Sequence, residues 1–208
     1  MKRLRITLLG GISVQRAAGV GIALPGKAQA LVGYLALQGG QAQPRDKLAA
    51  ILWPGVPHPR ARHNLRQLLV VVRQALLAES LEETGDGVTF DTATVEIDAA
   101  EFERLVKIGD IDALAQAATL YHGDLLAGLG RQSEAFEEWL LPERERLREL
   151  AVEAFTKLLA RQIDASAVGA AIQTATRLLA LDSTHEAAHR ALMRLHVQQG
   201  RRAAALRQ

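Results

Sequence analysis

The spacing of apolar residues along the chain changes period several times, and each change marks an element. Leu4–Gly10 and Ile12–Arg16 are short apolar runs broken by Gly10-Gly11, and Gly19–Pro25 is a third, bounded by glycine and proline. Such runs predict two or three short strands of a small antiparallel sheet. From Lys27 the period becomes helical: Ala28, Leu31, Val32 and Leu35 share one face, and Gly39-Gly40 stops the helix. Pro44 stands at a first helical position ahead of Leu48, Ile51 and Leu52, and Trp53-Pro54 closes this second helix. After the rigid turn Pro57-His58-Pro59, a third helix is predicted over Arg60–Ala78. Thr84-Gly85-Asp86-Gly87 is a turn signal, with Val88–Phe90 and Thr94–Ile97 as strand candidates around it. The order is strands, three helices, hairpin. Helices two and three form a helix-turn-helix and the hairpin its wing, so residues 1–97 are predicted to be a winged helix-turn-helix domain.

From Asp98 onward the pattern is helical almost throughout. Phe102, Leu105 and Val106 form one stripe, Leu114, Ala117, Ala118 and Tyr121 another, and Leu147 to Leu159 a long regular one. A repeat appears at a spacing of 34: Ala154, Leu158, Leu159, Ile163, Ala170, Ala171 and Ile172 match Ala188, Leu192, Met193, Val197, Ala204, Ala205 and Leu206. That period, in helix pairs with alanine at packing positions, is the tetratricopeptide signature; chance alignment in an Ala/Leu-rich chain is the competing explanation. The expected fold is mainly α with a small β component: the winged helix, then an all-α tetratricopeptide-like domain over residues 98–208. The chain stops at Arg207-Gln208 inside a predicted helix, so a continuation is expected.

Charge changes this picture more than composition does. The 208 residues, 49% hydrophobic and 23% charged, are ordinary globular material, enough for one large domain or two small ones. The absence of cysteine excludes a disulfide framework and Cys-based zinc sites, and fits a reducing, cytoplasmic setting. The longest charge-free stretch, Ala28–Pro44, is interrupted by Gly39-Gly40 and several Gln, so no bilayer span is expected. Met1–Arg5 followed by Ile6–Val14 resembles a signal peptide faintly, but the glycines and Arg16 favour a strand. The net charge of +2 conceals an asymmetry. Met1–Leu77 holds 11 Lys/Arg and one acid, Asp46, whereas Ala78–Gln208 holds 14 Lys/Arg and 22 Asp/Glu. A basic first half (+10) and an acidic second half (−8) point to a polyanion partner for the first, or to the halves pairing with one another.

The third helix focuses that charge. At 100° per residue, Leu65, Leu68, Leu69, Val72 and Leu76 fall on one face and form its core side. The opposite face carries Arg60, His63, Gln67, Val70 and Gln74, with Arg62, Arg66 and Arg73 on one shoulder and Asn64 on the other. There is no acid between Pro59 and Ala78, whereas a merely solvated helix usually mixes signs. In the major groove, Arg60, His63, Gln67 and Val70 would face bases: Arg and Gln suit guanine and adenine edges, and Val70 a thymine methyl. Arg62, Asn64, Arg66 and Arg73, with Arg45 and Lys47 from the second helix, would neutralise phosphates. Glu82, Glu83 and Asp86 argue against close phosphate contact by the wing.

Other constellations carry less. His185-Glu186-Ala187-Ala188-His189 spells the H-E-x-x-H zinc motif, but it lies within the 34-residue repeat on a packing helix. Gly21 to Gly26-Lys27 has P-loop spacing, yet Ala28 stands where a hydroxyl must hold magnesium. No spacing singles out a nucleophilic triad. Neither metal, cofactor nor catalytic residue is expected. Trp53 and Trp139 read as core residues rather than stacking platforms, and Glu143–Glu149 as a sign-alternating solvated face or a partner-docking surface.

Eight ordered stretches resemble the SARP-type antibiotic regulatory activators. They are Leu24–Leu31, Leu48–Pro54, Ala61–Gln67, Asp98–Phe102, Leu120–Leu126, Phe136–Leu140, Pro142–Leu147 and Leu181–Met193. The resemblance implies an OmpR-like winged helix followed by a bacterial transcriptional activation domain of tetratricopeptide type. It implies a transcription factor that binds direct repeats of promoter DNA, recruits RNA polymerase holoenzyme, often acts as a homodimer, and uses no cofactor. Larger members append an ATPase and sensor repeats. The chain departs from the family at Val70-Val71, where a polar or basic pair is usual. This departure keeps a competing reading open, an adaptor whose winged helix no longer binds DNA and docks an acidic protein partner.

Overall fold

The computed structural model describes residues 4–16, 19–76 and 80–208. The predicted end of the third helix at Ala78, and Lys2 and Arg3 of the N-terminal basic run, lie outside the described residues. Two compact units are present: residues 1–101 with 122–145, and residues 102–121 with 146–208.

In the first unit, β1 (Leu4–Thr7) is the middle of a three-stranded sheet. It pairs antiparallel with β2 (Ser13–Arg16) and parallel with β6 (Val95–Ile97), in a register that sets Ile6 opposite Val14 and Ile97. Leu4, Ile6 and Leu8 alternate into the core, as a half-buried strand requires. Two sequence expectations change here. Gly19–Pro25 forms no strand beyond a single bridge between Gln15 and Gly21. Thr94–Ile97 does not close the hairpin: its Val95–Ile97 part joins β1, over 85 residues away in sequence, because tertiary pairing outweighs proximity along the chain.

Helix α1 (Gly26–Ala36) presents an almost wholly apolar surface and buries Ala28 and Ala30–Ala36. A two-residue strand, β3 (Gln43–Pro44), leads into α2 (Arg45–Leu52), which buries Leu48, Ala49 and Leu52. Helix α3 (His58–Ala75) begins two residues earlier than expected, since Pro59 sits in its first turn, where the missing N–H has no partner to lose. It buries Ala61, Leu65, Leu69 and Val72; Leu68, expected in the core, is only half-buried. The hairpin is made of β4 (Leu81–Thr84) and β5 (Gly87–Phe90), and β5 also pairs with β3. Gly85, with φ of 61°, takes the first of the two turn positions and Asp86 the second. That conformation is nearly free for glycine.

Helix α4 (Asp98–Ile108) opens on a buried acid. The Asp98 carboxylate accepts from the N–H groups of Leu8 (2.8 Å), Leu9 (3.0 Å) and Ala99 (2.7 Å). Burial pushes its pKa up, outweighing those three donors and His122, which pull it down. Residues 122–127 lie along the end of β1: Leu126 N–H donates to Leu8 O, Gly10 N–H to Asp124 O, and Leu9 bridges Leu125. Leu126 is fully buried against Gly33, where an added Cβ would come within 2.9 Å of its methyl carbons. Arg144, in the first part of α6 (Glu134–Asp164), donates to the carbonyls of Leu125 and Leu126. Trp139 stacks at 4.6 Å from Tyr34 and 5.2 Å from Phe136. Trp53 lies under the Lys27 ammonium, which donates to Leu52 O. Both tryptophans make these contacts while only half-buried, so neither is a fully buried core residue as expected.

The second unit contains most of α4, α5 (Ile111–Leu120), the rest of α6, α7 (Val168–Leu181), α8 (Glu186–Gln198) and α9 (Arg202–Arg207). Asp110 caps α5 by accepting from Ala113 N–H. Tyr121 packs between Phe102 (5.5 Å) and Phe155 (6.5 Å, edge-on). Arg177 lies 4.7 Å over Phe155 and donates to Ala118 O and Tyr121 O, satisfying carbonyls at the end of α5. Of the residues matched at a spacing of 34, Ala154 and Ala188, Leu158 and Leu192, and Ala171 and Ala205 are buried in both copies. Ile163 and Val197 are exposed in both.

Candidate nucleic-acid interface

Helix α3 carries the densest set of candidate residues. Its core stripe turns Arg60, His63, Arg66, Gln67, Val70, Val71 and Gln74 outward, all exposed. Arg60, His63, Gln67, Val70 and Gln74 form one line of about 21 Å at 1.5 Å rise per residue. Two side chains on this face are apolar: Val70 is 42% exposed and Val71 40%.

The six expected phosphate contacts fall into two groups. Arg45, Arg62 and Arg73 are ion-paired to acids, two of them on the hairpin. Glu83 takes Arg45 on one carboxylate oxygen at 2.5 Å and Arg73 on the other. The Glu83 side chain is 28% exposed and Arg45 22%, so this triad is partly withdrawn from water. Arg62 is held at both edges: its Nε donates to Asp46 Oδ1 at 2.9 Å and its Nη2 to Asp86 Oδ1 at 2.6 Å. Asp46 also meets His58 at 2.8 Å. The second group is less engaged. Lys47 is exposed, hydrogen-bonds Gln43 at 3.1 Å and lies over the Tyr34 ring. Asn64 is half-buried, and Arg66, like Arg60 on the base-facing line, forms no ion pair among the described residues.

Arg45, Arg62 and Arg66 line a polar recess of about 300 Å³ with Leu65, Gly85 and Asp86, between α2, α3 and the hairpin turn. The turn is fixed there because Arg45 N–H, at the start of α2, donates to Asp86 O at 3.0 Å. Sequence reasoning found the arginines and noticed the hairpin acids. It could not see which acid meets which arginine.

The other motifs have structural partners. His185 caps α8 by accepting from Ala188 N–H on Nδ1, with Nε2 at 3.2 Å from Thr156 Oγ1. His189 donates from Nε2 to Ser183 O and takes Gln208 on Nδ1. No cluster of three or more potential metal ligands exists among the described residues. Nor, among them, is any helix long and apolar enough to cross a membrane.

The profile of the bacterial transcriptional activator domain matches residues 97–208, and the chain belongs to that family. Among solved structures, it is similar to Mycobacterium tuberculosis EmbR, determined in complex with a low affinity phosphopeptide. The two agree with a TM-score of 0.76 at 19% sequence identity over 99% of this chain. The chain spans 57% of the length of that structure, and the likeness is one of fold. No curated protein matches the sequence significantly.

Proposed function

We propose that the chain is a sequence-specific DNA-binding transcriptional activator of the SARP type. In this reading, residues 1–97 act as an OmpR-like winged helix-turn-helix: α2 and α3 are the helix pair, β4 and β5 the wing. Residues 98–208 are the tetratricopeptide-like activation domain, which contacts RNA polymerase holoenzyme or a second subunit. The observation that carries the proposal is α3 itself, an 18-residue helix with no acid, whose exposed residues from Arg60 to Gln74 are all Arg, His, Gln or Val. The major groove admits such a helix. Arg60, His63, Gln67 and Val70 would face base edges. Arg66 and Lys47 would be the first phosphate contacts; Asn64 and the paired Arg45, Arg62 and Arg73 would lie beside the backbone. Family membership adds the activation role, and no step requires a cofactor.

The test is binding of the full chain to a duplex from its own upstream region, against random duplex, over a salt series. Log affinity should fall by about 0.9 per neutralised phosphate per log unit of salt. Arg66→Ala should flatten that slope by about 0.9 and leave the circular dichroism spectrum unchanged. Absence of binding at low salt would overturn the proposal in favour of the adaptor. That second reading draws on one observation, the exposed Val70-Val71 pair, which suits an apolar protein contact as well as it suits thymine methyls.

A further inference from the structure

The recess where Arg45, Arg62 and Arg66 converge has the chemistry of a phosphate seat, and it already holds an anion. Asp86 lines it from the hairpin turn, and its carboxylate lies 2.6 Å from Arg62. We propose that Asp86 is an internal stand-in for a DNA backbone phosphate: it occupies the seat, withholds Arg62 from the duplex, and so sets how tightly the protein holds DNA. The inference rests on the DNA-binding reading above.

Three observations favour a stand-in over a fold-building ion pair. The Arg62–Asp86 pair is exposed, at 38% and 57%, and exposed pairs contribute little to stability. The turn does not depend on the Asp86 side chain: its geometry comes from Gly85 at φ 61° and from the Asp86 backbone carbonyl that accepts from Arg45. Arg66 lines the same recess without an acid of its own among the described residues, so a second cation is already aimed at any phosphate that enters.

Glu83 is the contrasting case. Its two oxygens are committed to two arginines from different elements, Arg45 at the start of α2 and Arg73 in the last turn of α3. This triad is more shielded than the Asp86 pair, and it fastens β4 to both helices. Glu83 is therefore a positioning residue: it holds the hairpin, and with it Asp86 and the recess, in place. The two acids of one hairpin should act on DNA affinity with opposite sign.

Asp86→Asn keeps a turn residue suited to the position and removes the charge. It should tighten duplex binding about fivefold at low salt and steepen the salt slope by about 0.9, as Arg62, still held at Nε by Asp46, turns its released Nη2 edge to a phosphate. The gain should vanish in the Arg62→Ala background. Glu83→Gln should weaken binding and lower the unfolding midpoint, whereas Asp86→Asn should leave the midpoint unchanged. Fluorescence anisotropy with the upstream duplex over a salt series reads the affinities, and thermal circular dichroism the midpoints.

If the wild-type chain binds and Asp86→Asn binds no more tightly, the stand-in is wrong and the DNA-binding reading survives. A gain that persists in the Arg62→Ala background also overturns it, because the effect would then be general charge repulsion. If no variant binds at low salt, the DNA-binding reading itself fails and this inference falls with it.

Discussion

Replacing Asp98, a buried acid that joins the start of α4 to the end of β1, with alanine should destabilise the first unit. Asp98 opens α4, is 6% exposed, and accepts three backbone N–H groups, two of them 89 and 90 residues away at the end of β1. Removing it leaves the N–H groups of Leu8 and Leu9 without an acceptor inside the protein, at about 1–3 kcal/mol each. Losing the acceptor of the Ala99 N–H at the start of α4 adds about 1 kcal/mol. Against these stands the relief of a buried charge, whose size is signalled by the upward push on its pKa. The net cost should be about 2–4 kcal/mol. Asp98→Asn keeps one acceptor but turns an NH2 group toward N–H donors, so it should fall between wild type and Asp98→Ala. Urea unfolding of the full chain, followed separately by Trp53 and Trp139 fluorescence and by circular dichroism, reads the first unit against total helix. A cost below about 1 kcal/mol for Asp98→Ala would refute the reasoning, since the two strand-end N–H groups would then be satisfied by water.

Other expectations follow from the same geometry. A raised folded-state pKa at Asp98 means that the extra stability linked to its protonation is full below the ordinary value of 3.8 and is lost as pH rises through the raised value, leaving the N–H contacts of the carboxylate. That pH dependence should disappear in Asp98→Asn, as urea midpoints over the acid range would report. Gly10→Ala should cost about 2–3 kcal/mol, because φ is 96° and the new Cβ would stand 2.8 Å from His122 Cβ and 2.9 Å from its carbonyl carbon. Arg177→Met should keep the apolar contact with Phe155 but leave the Ala118 and Tyr121 carbonyls without their donor. It should lower the midpoint of the second unit by about 1–3 kcal/mol equivalent in calorimetry. A fragment ending at Glu101 lacks Leu125, Leu126, Phe136 and Leu140, which are buried in the first unit, and should bind ANS where the full chain does not.

The sequence alone determined most of the helices and the acid-free exposed face of α3, for a local reason. Hydrophobic period, glycine and proline punctuation and the acid-free run of α3 act within a few residues, so α1, α2, α3 and the helical stripes from Phe102 onward could be read directly. The solvent face of α3 could be read too, because an apolar stripe fixes its own opposite. The resemblance to SARP-type activators found the motifs but not their work. Only the tertiary structure shows that Asp98 receives the end of β1, that Leu126 fills the space beside Gly33, and that Arg144 holds the Leu125 and Leu126 carbonyls. Strand pairing was likewise decided at long range: Val95–Ile97 has strand composition, but its partner is β1. Charge shows the difference most plainly. The sequence assigns +10 to residues 1–77 and counts the hairpin acids with the acidic remainder. Folding returns Glu83 and Asp86 to the basic helices, where they pair with Arg45, Arg73 and Arg62. A charge sum is linear along the chain, whereas electrostatic interaction depends on separation in space, so only the fold decides which arginines remain for a polyanion.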